Sequence, residues 1–361
     1  MNLKYLKAES KFQSVNLFSI IALFVLILAG GVVRSTGSGM GCPDWPKCFG
    51  RYIPPIKEAQ LPENYRTEYI EKQLKKNLHF AKVLQAFGYT SLAIKVKADT
   101  FIVNRQQEEF NPIKTWTEYI NRLVGVITGI LLLATAFYSF IYLKKCKLLI
   151  SLSMLNLLLV IFQAWLGSIV VSSNLLPWIV TAHMLIALAI LAISIYTWFR
   201  AKFLDSKVKI RTNVLVIICM WLALILDIIQ ITIGTEVREK IDGYATKLNG
   251  DNRQSWVNGA GEILFNHKNM ALAVVLVNVV LYLLLRKYFE KNAIQRQLMS
   301  ASFILIMLQI FAGVLLSYWS LPPFAQAAHI LLASLLFGAQ FYLLLNLYQS
   351  AETLEEKYNV G

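Results

Sequence analysis

The sequence predicts an all-α integral membrane protein, in which eight transmembrane helices form two pseudo-symmetric four-helix bundles. Hydrophobic residues occupy 57% of the 361 positions and the mean hydropathy is +0.54, which is not the composition of a water-soluble globular chain. Long stretches carry no Asp, Glu, Lys or Arg, and one segment occurs twice along the chain. Together these three observations indicate a duplicated unit of membrane helices.

The charge-free stretches cover residues 12–33, 123–143, 148–199 and 297–351. A helix of about 20 residues crosses a bilayer, so each of the two longest stretches must hold two spans. The apolar segments 212–235 and 269–285 complete the set of eight. The first span, expected over 15–34, is too long for a signal peptide and lacks the usual cleavage site, so we expect it to be retained.

The repeat joins segments 163–183 and 309–329, each of which ends in a histidine. A glutamine, a glycine and that histidine recur 146 positions later (309 − 163), as Gln163 and Gln309, Gly167 and Gly313, and His183 and His329. With four spans in each half, both halves run the same way, so the repeat is parallel about an axis along the membrane normal. We divide the chain into residues 1–203, with an outer loop at 35–116, and residues 204–361.

Charges in the short connections predict the orientation of the spans. Basic residues fill the connections after the second, fourth and sixth spans, namely Lys144, Lys145, Lys147, Arg200, Lys202, Lys207, Lys209, Arg211, Arg286, Lys287, Lys291 and Arg296. The connections after the third and seventh spans carry no charge. The positive-inside rule therefore places both termini in the cytoplasm, across a bacterial-type cell (inner) membrane. The net charge of +14 then indicates contact with anionic lipids, and we expect no nucleic-acid partner.

The outer loop begins with a Gly- and Pro-rich motif, G-S-G-M-G-C-P-D-W-P-K-C, in which Cys42 and Cys48 are six residues apart. Outside the membrane, two cysteines this close form either a structural disulfide or a dithiol that exchanges electrons. The spacing leaves both interpretations open.

Two other ionisable residues have structural interpretations. Glutamate–lysine pairs at i,i+4 predict an amphipathic helix over 65–87 that lies on the membrane surface. His79 falls in this helix and is interpreted as a solvated residue rather than a ligand. Asp227 lies deep in the fifth span, where we interpret it as a protonated, hydrogen-bonded group rather than a proton relay.

The second span opens with E-Y-I-N-R-L-V-G, in which Glu118, Asn121 and Arg122 share one helical face. A carboxylate just inside the outer surface is costly unless it is paired or functional. One interpretation is a Glu118–Arg122 ion pair that caps the helix. The other is a carboxylate directed at a bound substrate.

Subtracting the repeat length from His267 gives Asn121, so the duplication defines four equivalent positions, 121, 183, 267 and 329. Three of them are histidine, although the chain has only four histidines. Histidines at one depth on facing helices of an apolar bundle are the axial ligands of haem iron. We therefore predict that His183, His267 and His329 bind haem iron rather than merely pack. Basic residues at the outer helix ends are candidate partners for haem propionates, namely Arg34, Arg122, Arg238 and Lys268.

The cysteine motif, E-Y-I-N-R-L-V-G and the two histidine-bearing helix pairs together resemble the heme A synthase family, over essentially the whole chain. The resemblance implies that the second half holds a haem b between His267 and His329. It further implies that the first half binds the substrate, haem O, near His183, Asn121 and Arg122.

By the same resemblance, Glu118 matches the catalytic glutamate of the family, and Cys42 and Cys48 match its outer cysteine pair. Family members commonly have histidine where this chain has Asn121. Asparagine is a poor iron ligand, so His183 alone would hold the substrate iron and leave one coordination position open.

The implied reaction oxidises the C8 methyl group of haem O to the formyl group of haem A by successive hydroxylations, for cytochrome oxidase biogenesis. Haem O handed over by a haem O synthase, an electron donor that the sequence does not identify, and a second copy of the chain are the implied partners. Two alternatives use the same histidines: a membrane b-type cytochrome that only relays electrons, and a haem transporter or chaperone. A thiol oxidoreductase is a weaker alternative, because one outer cysteine pair leaves no second dithiol for a relay.

Overall fold

The computed structural model describes residues 3–39, 41–42, 44, 47–86, 88–97, 110–172, 177–205, 213–248 and 250–358. Within these residues there is no β-strand, and ten α-helices follow one another along the chain. They are α1 (Leu3–Ser35), α2 (Tyr65–Ala86), α3 (Thr90–Lys97), α4 (Pro112–Ser139), α5 (Lys147–Ser172), α6 (Pro177–Lys202), α7 (Val214–Lys247), α8 (Gly261–Tyr288), α9 (Ile294–Tyr318) and α10 (Pro323–Tyr358).

Eight of these helices, α1 and α4 to α10, are long and apolar enough to cross a membrane. The predicted all-α membrane protein with eight spans is therefore confirmed. The basic residues Lys207, Lys209 and Arg211 lie outside the described residues, as does the uncharged connection 173–176. The orientation of the termini stays a prediction.

Local sequence signals account for where two of the spans begin. The side chain of Asn111 accepts a hydrogen bond from the backbone N–H of Lys114 at 3.1 Å, and Pro112 occupies the first turn of α4. Asn213 caps α7 in the same way, through the backbone N–H of Leu215 at 2.8 Å. Each cap satisfies a helix N–H that would otherwise have no partner.

Two spans extend farther than the hydropathy pattern indicates. Helix α1 begins at Leu3 rather than at residue 15, and α7 continues to Lys247 rather than ending at residue 235. The additional turns of α7 bury Val237 and Ile241 against the 3₁₀ turn Arg253–Ala260. Hydropathy detects the part of a helix that lipid covers, whereas packing outside the membrane decides where the helix ends.

The predicted outer helix over 65–87 is present as α2, which ends at Ala86; residue 87 lies outside the described residues. The Glu68–Lys72 pair forms at 3.8 Å on its exposed face, and His79 is exposed, as its interpretation as a solvated residue requires. Helices α2 and α3 pack together and bury Phe80 and Leu84 against α5 and α6. The location of α2 on the membrane surface stays a prediction.

The helices of the two halves have matching neighbours. In the first half α1 packs against α4 and α6, and α5 packs against α4 and α6; α7, α8, α9 and α10 repeat this arrangement in the second half. The halves meet through α1 and α10, where a methyl group at Gly31 would lie 3.3 Å from Cα of Ala327. Small residues allow such close approach between membrane helices. The matching neighbours support the predicted duplication, although the division at residues 203 and 204 is not tested by them.

Polar side chains are buried among the spans. The amide of Gln340 on α10 donates to Oδ1 of Asn278 on α8 at 3.0 Å, and Asn156 on α5 donates to Ser194 on α6 at 2.7 Å. Asp227 is 4% exposed, and its Oδ2 has no hydrogen-bond partner. The predicted hydrogen bond to this carboxyl group therefore does not involve Oδ2.

Candidate haem site

Each of the three candidate ligand histidines lies against a glycine of the preceding helix. A methyl group placed on Gly167, Gly234 or Gly313 would lie 3.3, 3.2 or 3.5 Å from Cε1 of the histidine that it faces. These histidines are, in order, His183, His267 and His329. In each case the absence of a side chain lets the imidazole lie directly on the neighbouring helix. Three sites of the repeat therefore share one local construction.

A glutamine one turn before the glycine strengthens this construction. The amide of Gln163 donates to the backbone carbonyl of His183 at 2.6 Å, and the amide of Gln230 donates to that of His267 at 3.0 Å. Sequence reasoning found Gln163 and Gln309 through the repeat but missed Gln230. Its spacing of four residues to Gly234, the same as from Gln163 to Gly167, is the signal that identifies it.

His267 of α8 and His329 of α10 come together in the second half, with ring centroids 6.5 Å apart. Two imidazole nitrogens that each lie about 2 Å from one metal ion put their ring centroids roughly 6 Å apart. One nitrogen of each ring, Nδ1, is buried without a hydrogen-bond partner. The separation and the unpartnered nitrogens fit an iron atom held between the two rings.

No three His, Cys, Asp or Glu side chains gather as an ion site among the residues that the structure describes. The donor set of the second half is thus two imidazoles inside an apolar bundle. Such a set suits a haem, whose porphyrin supplies the other four iron ligands, better than a bare ion.

The first half departs from this arrangement at its fourth position. Asn121 replaces the histidine there, and its Oδ1 is buried without a hydrogen-bond partner. Gly30 of α1 corresponds to Gly234 of α7, since each precedes an arginine by four residues, Arg34 and Arg238. A methyl group on Gly30 would nevertheless meet no atom within 4 Å. His183, with its own unpartnered Nδ1, is thus the single candidate iron ligand of the first half within the described chain.

The loop after α1 encloses the carboxylate of Glu118, which is only 2% exposed. Its Oε2 accepts the backbone N–H of Cys42 at 2.9 Å, and its Oε1 accepts Nη2 of Arg122 at 2.5 Å. Arg122 also donates to the backbone carbonyls of Cys42, at 3.1 Å, and of Asp44. The Glu118–Arg122 ion pair, one of the two interpretations drawn from the sequence, is present, and the arginine connects the carboxylate to the loop.

A disulfide bond joins Cys42 and Cys48, which is the form of a structural bridge and also of an oxidised dithiol, so the role of the pair stays a prediction. The loop also approaches α4 at Gly41, where a methyl group would lie 2.8 Å from the backbone of Lys114 and Thr115. Only glycine fits at this distance. Sequence reasoning missed Gly41, because a Gly-rich loop gives no sign of which glycine touches a helix.

A cluster of charges at the outer ends of α1 and α7 joins the two halves. Asp242 lies 3.5 Å from Arg34 and 2.8 Å from Arg238, and Arg238 donates to Oε1 of Gln326 on α10 at 2.5 Å. Two of the predicted propionate partners are therefore neighbours, bridged by a carboxylate that sequence reasoning did not single out. Lys268, the other candidate in the second half, is exposed.

The disulfide gives a first testable prediction. Replacing Cys48 with serine is expected to raise the rate of tryptic cleavage after Arg51 about 30-fold. The reason is that closing the short loop between the cysteines restricts its open conformations by roughly 2 kcal/mol. Limited proteolysis of the detergent-solubilised chain, followed by mass spectrometry, measures that rate. Cys146→Ser, which removes a free cysteine at the other end of the bundle, is the matched control. Equal cleavage of both variants would contradict the prediction.

Known proteins match this chain along nearly its whole length. A "Heme A synthase" from Ehrlichia canis (strain Jake) is 25% identical over 347 residues, which cover 90% of this chain and 89% of that protein. Proteins of the same name from Wolbachia pipientis subsp. Culex pipiens (strain wPip) and Staphylococcus epidermidis (strain ATCC 12228 / FDA PCI 1200) are each also 25% identical. The Wolbachia match covers 93% of this chain and 98% of that protein, and the Staphylococcus match covers 94% of this chain and 96% of that protein. The COX15-CtaA family, described as cytochrome oxidase assembly protein, matches residues 14–90 and 96–341. The chain therefore belongs to the COX15-CtaA family of cytochrome oxidase assembly proteins.

Proposed function

We propose that the protein is a heme A synthase, which oxidises the C8 methyl group of haem O to the formyl group of haem A. The observation that carries the proposal is the inequality of the two halves. One half presents a facing histidine pair, whereas the other combines a single histidine with a buried carboxylate on the helix of the fourth repeat position. One half then holds a permanent cofactor, and the other holds a molecule that is changed.

In the second half, His267 and His329 would hold a haem b. When bound, this haem supplies one-electron redox chemistry, at a potential that depends on its ligands and burial. The two residues position the group through their backbones, because Gln230 ties the carbonyl of His267 and Gly313 lets His329 lie against α9. An apolar bundle around them excludes water from the haem.

In the first half, His183 binds the iron of the substrate, haem O. Glu118 precedes Asn121 by three residues and therefore lies on the same face of α4 as the fourth repeat position. Its carboxylate stabilises positive charge that develops at the C8 carbon, or accepts a proton there. Arg122 and the backbone N–H of Cys42 hold the carboxylate in place, so the disulfide loop positions the group.

The proposed topology puts both termini in the cytoplasm and this loop outside. Its support is the concentration of Lys and Arg in alternate connections, together with a disulfide, which persists in oxidising compartments. The division into halves at residues 203 and 204 belongs to the same proposal. So do delivery of haem O by a haem O synthase, an external electron donor and assembly into homo-oligomers.

Expression together with a haem O synthase tests the function. Membranes are extracted with acidified solvent, and the pigments are separated by chromatography and identified by mass. Haem A is expected in cells that carry both genes, and haem O alone in cells that carry only the haem O synthase. A haem b spectrum of the purified protein, with no haem A in the cells, would favour the b-type cytochrome. The facing histidine pair is compatible with that alternative too.

A further inference from the structure

The fourth repeat position differs from its second-half counterpart at two sites together, not at one. Where the second half has Gln230, Gly234 and His267, the first half has Leu26, Gly30 and Asn121. The histidine and the glutamine that holds its backbone are thus both replaced. Leu26 lies against α4, since a methyl group on Gly125 would be 3.8 Å from its Cδ1.

The space that an imidazole occupies in the second half is open in the first. A methyl group on Gly234 would lie 3.2 Å from the His267 ring, whereas one on Gly30 would have no neighbour within 4 Å. Asn121 is shorter than histidine, and its amide oxygen is a donor that suits hard cations rather than iron. Because Leu26 lies against Gly125, the positions one turn farther along this antiparallel helix pair, Gly30 and Asn121, lie opposite each other. The Oδ1 of Asn121 is buried there without a hydrogen-bond partner.

We infer that this space, lined by Leu26, Gly30 and Asn121, is an exchangeable coordination position on the iron of the first-half haem. It takes small neutral ligands such as imidazole or carbon monoxide, and Asn121 accepts a hydrogen bond from a ligand that carries a proton. The inference rests on the proposed function, because it takes the first half to be the haem O site. The second-half haem has a histidine on each side and offers no such position.

Spectroscopy of the purified full-length chain, loaded with haem, tests the inference. Carbon monoxide is added to the dithionite-reduced protein and imidazole to the ferric protein. About half of the bound haem is expected to respond in each case, because one of two irons has an open position. Preparations that hold one haem are first titrated with ferric haem b. If the wild-type chain takes up no second haem, or if the doubly loaded chain does not respond, the inference is overturned.

Two substitutions at one position separate a coordination effect from a structural one. Asn121→His is expected to abolish the response to carbon monoxide and to make both haems low-spin, because the open space beside Gly30 accommodates the ring. Asn121→Ala is expected to keep the response, because it leaves the position open. A response that survives in Asn121→His, at unchanged haem content, would contradict the inference.

Glycine variants provide a matched steric test. Gly30→Ala is the steric partner of Asn121→His, because its methyl group has no neighbour within 4 Å in the wild-type chain. Combined with Asn121→His, the same methyl group meets the new imidazole, and part of the response is expected to return. If Asn121→His has the same spectrum with and without Gly30→Ala, the new imidazole does not occupy the space beside Gly30, which contradicts the inference.

The result is separable from the proposed function, because haem A is measured independently by extraction. If haem A is produced without a carbon monoxide response, the open coordination position is refuted and the proposed enzymatic function stands. If there is a response without haem A production, the open position stands and the proposed enzymatic function is refuted.

Discussion

Replacing Glu118 with glutamine is expected to abolish haem A formation while leaving the haem b spectrum unchanged. Glutamine keeps the length of the side chain but removes the negative charge and the ability to accept a proton. General acid–base groups contribute about 10²- to 10⁴-fold to rate, so haem A should fall by at least about 100-fold. Pigment extraction measures haem A, and the reduced-minus-oxidised spectrum of the purified protein measures haem b.

The difficulty with this variant is that Glu118 also anchors the outer loop. Glutamine presents an N–H₂ group to one of two donors, Arg122 or the backbone N–H of Cys42, so part of the loop contact is lost. The Thr115→Val variant weakens the same loop by removing the bond from Thr115 to the carbonyl of Gly41, 3.1 Å long, but keeps the carboxylate. It should therefore retain most haem A formation.

A matched surface control is Glu262→Gln, which neutralises an exposed carboxylate in the first turn of α8. It should change neither haem A nor haem b. If Glu118→Gln forms haem A at the wild-type level, the catalytic assignment is wrong. If Thr115→Val loses as much as Glu118→Gln, the carboxylate acts by positioning the loop and not at the substrate.

Replacing His267 or His329 with alanine is expected to remove the haem b, because each ring supplies one of two axial bonds and their centroids lie 6.5 Å apart. A single remaining histidine would hold the haem only weakly, so purified protein should contain a small fraction of the wild-type haem b. Haem A formation should stop as well, because this haem would supply the one-electron redox chemistry of the reaction. Pyridine haemochrome analysis gives the amount of haem per chain.

The four histidines provide their own controls. His79→Ala changes an exposed residue of α2 and should leave both haem b and haem A at the wild-type level. His183→Ala should keep the low-spin haem b and lose haem A, because it affects the substrate side. A normal bis-histidine spectrum in His267→Ala would rule out His267 as a ligand. Loss of that spectrum in His183→Ala would show that the assignment of haem b to the second half is wrong.

Most of the membrane fold and the set of candidate ligands could be predicted from composition and spacing. The spans are long apolar stretches, and a bilayer imposes their length regardless of neighbours. The histidines stood out because three of the four in the chain occur at equivalent positions of one repeat. The exact ends of α1 and α7 could not be predicted, since packing and capping outside the membrane decide them.

The environment of the candidate site depended on contacts between residues that are far apart in the chain. No pattern indicated that the backbone N–H of Cys42 binds Glu118, 76 residues later, or that Arg34 of α1 lies 3.5 Å from Asp242 of α7. Such contacts join segments that are far apart in the chain, and neither hydropathy nor the repeat indicates which residues will meet. The ion pair of Glu118 and Arg122, by contrast, is local to one helix and was expected from i,i+4 spacing.

The sequence by itself determined that this is an eight-span membrane protein with a doubled set of histidine positions, one of them changed to Asn121. Local composition and spacing along the chain are sufficient to predict these features. Only the tertiary structure decided that His267 and His329 face each other, that the space beside Gly30 is open, and that the disulfide loop covers Glu118. The physical reason is that distances between side chains on different helices are set by how the helices pack, which one-dimensional spacing does not record.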